Sequence, residues 1–168
     1  MKHCIAISVF LLLLPSSSWA APGNGSLGNM ADSAGLLNVH TFCFQPGALT
    51  PSQQGDVDKF VSRGNSHKGL LTKMGWQALS DCSKADALVK LTLNERDEPV
   101  AAVDSANLGN AAAAMTTETV SRAKMVVTDR TSGKELYEVE GEAIHSNRQG
   151  AIASPFTKLS KDLKSLSK

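Results

Sequence analysis

The chain has 168 residues, 42% of them apolar and 20% charged, which is enough for one globular domain and too little for a second of similar size. Removing residues 1–20 takes one lysine from the 17 basic side chains and none of the 16 acidic ones, so the remainder carries no net charge. That balance excludes a nucleic-acid binder, which needs a basic surface to displace counterions, and a polybasic membrane-surface protein.

Lys2 and His3 precede an apolar run from Ile5 to Leu14, and small residues at Ser18 and Ala20 follow. The run is too short to span a bilayer core of about 30 Å but suits the central part of a signal peptide, so residues 1–20 are expected to be cleaved after Ala20. No later run is long enough to be a transmembrane segment. Cys4 leaves with the signal and lies too early to be an acylated anchor. Cys43 and Cys82 remain, and in an exported, oxidising setting they are expected to form a disulfide. The expected location is the periplasm or the medium.

Residues 21–35 are rich in Gly, Asn, Ser and Ala without apolar periodicity and read as a flexible lead-in, leaving one domain over residues 36–168. Leu36 to Gln45 has apolar residues on both parities, the pattern of a strand buried on two faces. Thr50-Pro51-Ser52 then prepares a helix over Gln53 to Met74, with Val57, Phe60, Val61, Leu71 and Met74 near helical spacing. Gly64-Asn65-Ser66 interrupts it, so the helix bends there or two shorter helices meet. Gly75 ends the pattern, and Trp76 to Leu79 start the return to the sheet.

Ala85 to Glu95 alternates, with Ala87, Val89, Leu91 and Leu93 on one side, as in a half-buried strand. Arg96 to Thr116 breaks the pattern and reads as a long connection or an irregular strand extension. Two more strands, Thr117 to Asp129 and Lys134 to Ser146, flank a turn whose Gly133 suits a hairpin. In the second of these, Tyr137, Val139, Gly141 and Ala143 face one way and Glu138, Glu140 and Glu142 the other. Three like charges about 7 Å apart on one face require water or cations. Ser154-Pro155 is expected to open a closing helix with Phe156, Leu159, Leu163 and Leu166 as its apolar stripe. Lys158, Lys161, Lys164 and Lys168 share its polar face with Asp162.

Catalytic constellations are sparse. His40, His67 and His145 lie far apart, and His40 with Cys43 cannot converge on a metal because strand residues three apart point to opposite faces. Neither a nucleophile elbow nor a phosphate-binding glycine loop is present, so no cofactor is expected. The carboxylates Glu138, Glu140 and Glu142, with Asp97 and Glu98, are the best enzymatic candidates, and a glycosidase would also need aromatic sugar platforms, for which Trp76 is the one remaining tryptophan.

The segments Leu71-Thr72-Lys73-Met74-Gly75-Trp76, Ala85 to Leu91 and Val127 to Tyr137 together resemble the bacterial envelope family of domains of unknown function numbered 4136. The resemblance spans Leu36 to Ser146 and implies an exported protein, in many members a lipoprotein, with a strand–helix–strand start, a mostly antiparallel sheet and no catalytic residues to carry over. The chain departs from that pattern in lacking a lipobox cysteine and in having Tyr137 where a tryptophan is usual.

The expected architecture is α+β: a mostly antiparallel sheet of four to five strands, with a helix after the first strand and a C-terminal helix on one face. The expected function is that of a non-catalytic envelope or secreted binding module with an envelope or extracellular partner. The Glu138, Glu140 and Glu142 face and the Lys158, Lys161 and Lys164 patch are its candidate surfaces. Two alternatives stand beside it: a small carboxylate-dependent hydrolase of envelope material and a soluble carrier of an apolar ligand.

Overall fold

The computed structural model describes residues 28–45, 49–101, 115–143 and 147–167. The expected signal peptide, Cys4, the first part of the lead-in, residues 102–114 and His145 lie outside them. Six strands form one mixed sheet in the order β1-β6-β5-β4-β2-β3. The class is α+β as expected, but among the described residues the sheet has six strands rather than four to five and is mixed rather than mostly antiparallel.

The mixed character arises at one edge. β2 (Thr41–Phe44) leads into α2 (Pro51–Gly64) and α3 (Leu70–Met74), which carry the chain back to β3 (Gln77–Ala78) and β4 (Ala87–Ala101). Because helices make this connection, β2 runs parallel to both β3 and β4. The sequence shows the helices and places the return to the sheet at Trp76 to Leu79, where β3 lies, although its two residues are too few for any alternation. Thr50 caps α2 through a reciprocal capping box with Gln53. Asn65 ends α2, so two helices meet at the glycine-asparagine interruption.

β4, β5 (Met115–Asp129) and β6 (Glu135–Ala143) form an antiparallel meander. Its tight turn places Gly133 at φ 70°, where a side chain would be strained. Arg96 to Ala101 and Met115 to Thr116 were expected as a connection or an irregular extension; they pair residue by residue as regular strand. A register shift at Val127/Thr128 bulges β6, so that consecutive residues Leu136 and Tyr137 are both buried.

Two elements fall inside the expected lead-in. β1 (Asn29–Met30) pairs with β6, and α1 (Ser33–Leu37) follows, its Asp32 cap accepting a hydrogen bond from Gly35 N at 2.9 Å. The expected strand from Leu36 therefore shortens to Thr41–Phe44, because Leu36 and Leu37 belong to the capped helical turn.

α4 (Arg148–Leu166) covers one face of the sheet, and Ile152, Phe156 and Leu159 are fully buried there. It begins six residues before the expected Ser154-Pro155 start, capped by Asn147, whose side chain accepts from Gly150 N at 2.9 Å. Pro155 thus lies inside the helix. The ring is seated over Gly141, where a Cβ would stand 2.5 Å from Pro155 Cδ and 2.6 Å from Ser154 Cβ. Gly141→Val is therefore expected to push α4 off the sheet and destabilise by about 1–3 kcal/mol, read from the urea midpoint. Asp162, expected on the polar face, is 4% exposed and buried against Tyr137.

Candidate functional site

The uncovered face of the sheet holds Glu138, Glu140 and Glu142. Cross-strand registry sets Lys124 opposite Glu140 and Arg122 opposite Glu142. Lys124 Nζ lies 2.8 Å from Glu138, and Arg122 lies 2.9 Å from Glu98 and 3.5 Å from Glu142. The hydrogen bond to Glu138 holds the Lys124 amine above its ordinary pKa. The cations that three aligned carboxylates demand are thus supplied by the neighbouring strand. Asp97 accepts a hydrogen bond from Thr119 Oγ1 at 2.7 Å, on the opposite face of the sheet from Glu98.

A second feature joins residues distant in sequence. Arg148, at the start of α4, grips Glu95 of β4 with two guanidinium nitrogens, reaches Ser52 Oγ at 3.1 Å and lies 3.8 Å from Asp56 of α2. Arg148, Glu95 and Asp56 line an open cleft of about 460 Å³ with Thr119, Asn147 and Gln149. Hydrogen bonding to Arg148 holds the Glu95 carboxyl below its ordinary pKa. Ser121 Oγ, buried beside Glu95, biases that carboxyl downward as well but makes no hydrogen bond of normal geometry. With Arg148 occupied by three partners, the cleft is a clamp joining α2, α4 and the sheet. A cation at the first turn of a helix opposes the helix dipole, and Glu95 and Asp56 offset it.

The third feature is an apolar hollow of about 230 Å³ where α1, α3 and the end of α4 meet. Its floor is formed by Leu36, Val39, Trp76, Met74 and Leu163. Leu37 stands at its side, 45% exposed and the one exposed large hydrophobic residue among those described. The rim carries His40, Lys73 and Lys164, and no acidic side chain among the described residues lines it. Asp86, the nearby acid, is turned to the backbone: its carboxylate accepts from His40 N at 3.0 Å and Thr41 N at 2.8 Å. Burial opposes ionisation of that group, but these bonds prevail and its pKa lies below the ordinary value.

The structure divides the expected basic patch. Lys158 turns to the sheet and donates to the Glu140 carbonyl at 2.6 Å, Lys161 is exposed to water, and Lys164 borders the hollow. Cys43 and Cys82 form the expected disulfide, with Cα atoms 5.1 Å apart. His40 and His67 do not converge, and no cluster of three or more potential metal ligands occurs among the described residues. Among those residues no helix is long and apolar enough to cross a membrane. The sequence carried no signal for the Arg148 clamp, since Asp56, Glu95 and Arg148 lie in three elements. For the hollow, the one local cue was Leu37 beside His40.

Comparison with known proteins is sparse. A scan against family models finds no match, and neither does a search of the curated proteins. Among solved structures, a PDZ domain protein from Parabacteroides distasonis aligns with a TM-score of 0.37 and 15% identity, over 66% of this chain and 28% of that one. A minor lipoprotein from Acinetobacter baumannii aligns with a TM-score of 0.34 and 11% identity, over 77% of this chain and 90% of that one. Likenesses this distant carry neither fold nor function across.

Proposed function

We propose that this protein is an exported, non-catalytic interaction module of the kind its sequence motifs suggest, and that it docks an apolar residue flanked by negative charge in the hollow between α1, α3 and α4. The observation that carries the reading is the hollow itself: an apolar floor, an exposed Leu37 beside it, and a rim of Lys73, Lys164 and His40 with no acidic side chain among the described residues. Apolar anchors give such contacts their energy, and a cationic rim selects the partner and steers its approach. The disulfide suits an oxidising compartment.

The size of the hollow separates this reading from a soluble carrier. At about 230 Å³ and open to water, it is smaller than the roughly 300–1,000 Å³ of usual small-molecule pockets and fits one or two side chains of an acidic peptide. The hydrolase reading is weakened by the open sheet face, where Glu138 and Glu142 are each ion-paired.

A fluorescein-labelled acidic pentapeptide with phenylalanine at its centre tests the reading by anisotropy. Saturable binding is expected, lost in a Lys73→Glu/Lys164→Glu variant and absent for the same peptide with lysines in place of its acids. Equal binding of both peptides would overturn it, as would hydrolase turnover that Glu140→Gln abolishes.

A further inference from the structure

β4 is fifteen residues long, yet β2 pairs with only three of them, Ala87 to Val89. Beyond Val89 its outer edge meets no other strand among the described residues. Strand alternation shows which groups are left there. Val89 turns its carbonyl to that edge, where Gln45 N donates to it at 2.9 Å. Leu91, Leu93, Glu95 and Asp97 share that parity, so their N–H and C=O groups point outward as well. Pro99 shares it too, and a proline, having no N–H, belongs on an edge.

An open edge of this length is a template for another strand, and proteins usually guard such edges with charge. Here the guard is specific. The solvent-side residues along the segment are Lys90, Thr92, Asn94, Arg96 and Glu98, and Lys90 makes no ion pair among the described residues.

We propose that the Lys90–Glu98 edge of β4 pairs antiparallel with the same segment of a second copy of this chain, the two-fold axis passing at Asn94. In this register Lys90 faces Glu98 of the other copy, Thr92 faces Arg96, and the two Asn94 residues meet. On the opposite face, Leu91 lies across from Asp97 and Leu93 across from Glu95, so no like charges oppose each other. Moving the axis to Leu93 sets Lys90 against Arg96. Moving it to Glu95 sets the two Glu95 carboxylates against each other and Pro99 against Leu91. One register therefore remains, and like-charge repulsion removes its neighbours.

The ladder also ends where it must. With the axis at Asn94, Pro99 of the second copy falls opposite Val89, whose carbonyl is already taken by Gln45. The intermolecular ladder stops at a residue that cannot donate, just where the molecule's own parallel pairing begins. Between these limits the edges would exchange about eight backbone hydrogen bonds, within the usual range for a specific interface. They would also widen the segment where β4 and β5 extend past β6, whose pairing among the described residues reaches Ser121. A two-stranded ribbon is marginal alone, and the second copy supplies a third and fourth strand.

Sedimentation velocity on the purified, disulfide-intact protein provides the test. A concentration-dependent dimer is expected. Lys90→Glu or Glu98→Lys alone should weaken it by about tenfold or more, because each places like charges opposite one another twice across the axis. The combined Lys90→Glu/Glu98→Lys variant should restore it. A monomer at every concentration would overturn the proposal, as would a dimer indifferent to the single changes or a double variant no tighter than the singles. Circular dichroism on each variant identifies any that have failed to fold. The outcome is independent of peptide binding in the hollow, which lies between α1, α3 and α4.

Discussion

Replacing Cys43 and Cys82 together by serine is expected to lower the free energy of unfolding by about 3–4 kcal/mol in the chain-entropy account. The residues are 39 apart in sequence, so the bridge closes a long loop and removes much of the freedom of the unfolded chain. Its place in the fold makes it matter further. The parallel edge of the sheet consists of a four-residue β2 and a two-residue β3, a small ladder by itself. Cys43 lies on β2 and Cys82 in the short turn before β4, so the bridge fastens this edge to the chain that returns to the sheet centre. Urea unfolding in oxidising and reducing buffer checks the expectation: reduced wild type should match the serine variant, and equal midpoints for oxidised and reduced protein would refute it.

Tyr137→Phe should cost about 2–3 kcal/mol, because the lost hydrogen bond is made to a charged group in the interior. The Tyr137 hydroxyl donates to Asp162 Oδ2 at 2.6 Å, and Gly28 N donates to the same oxygen at 3.2 Å. Tyr137 is fully buried and Asp162 is 4% exposed. Burial, with the hydrogen bond and charge of Asp162 behind it, raises the phenol well above its ordinary value near 10. A native pKa raised in this way contributes stability that is fully present below the unfolded-state value and is lost as pH climbs beyond it. The wild type should therefore lose stability above about pH 10 more steeply than Tyr137→Phe. The chain has one tyrosine, so phenolate absorbance reports this group alone and should appear only as the protein unfolds. Ionisation at the ordinary pKa in the folded protein would contradict the buried pair.

The sequence revealed the elements held by local pattern and hid those held by distant partners. Alternation identified β4 through Glu95, the hairpin turn at Gly133 and the two-sided arrangement of Tyr137 to Ala143, because in each the period of two is visible over several residues. The bulge at Leu136 is silent in sequence, since a single inserted residue leaves the apolar count unchanged. Pro155 misplaced the start of α4: proline normally marks a first turn, and its acceptance in mid-helix depends on Gly141, fourteen residues away on another strand. The irregular-looking composition beyond Glu95 concealed regular strand because its stability comes from cross-strand partners such as Thr119 and Arg122. For the candidate surfaces, the three glutamates were legible by spacing, whereas their pairing with Arg122 and Lys124 required the register of β5. Asp162 shows the opposite failure: a lone acid among lysines reads as solvated, and only its contact with Tyr137 reveals it as interior.

The buried Asp162 also sets when this sheet is closed. It stands on α4, yet its carboxylate accepts from Gly28 N, 134 positions earlier, and its helix supplies Ile152, Phe156 and Leu159 to the core. At the usual synthesis rate of about 5–20 residues per second, the meander of β4 to β6 leaves the ribosome well before α4 is available to cover it. Until the last turn of α4 arrives, the covered face of the sheet stays open and β1, though paired with β6, lacks the bond from Gly28 N to Asp162 that ties it to the helix. The meander of β4 to β6 thus stays open on one face for as long as α4 is withheld. Stability is conferred in a late step, by α4 closing over residues made far earlier.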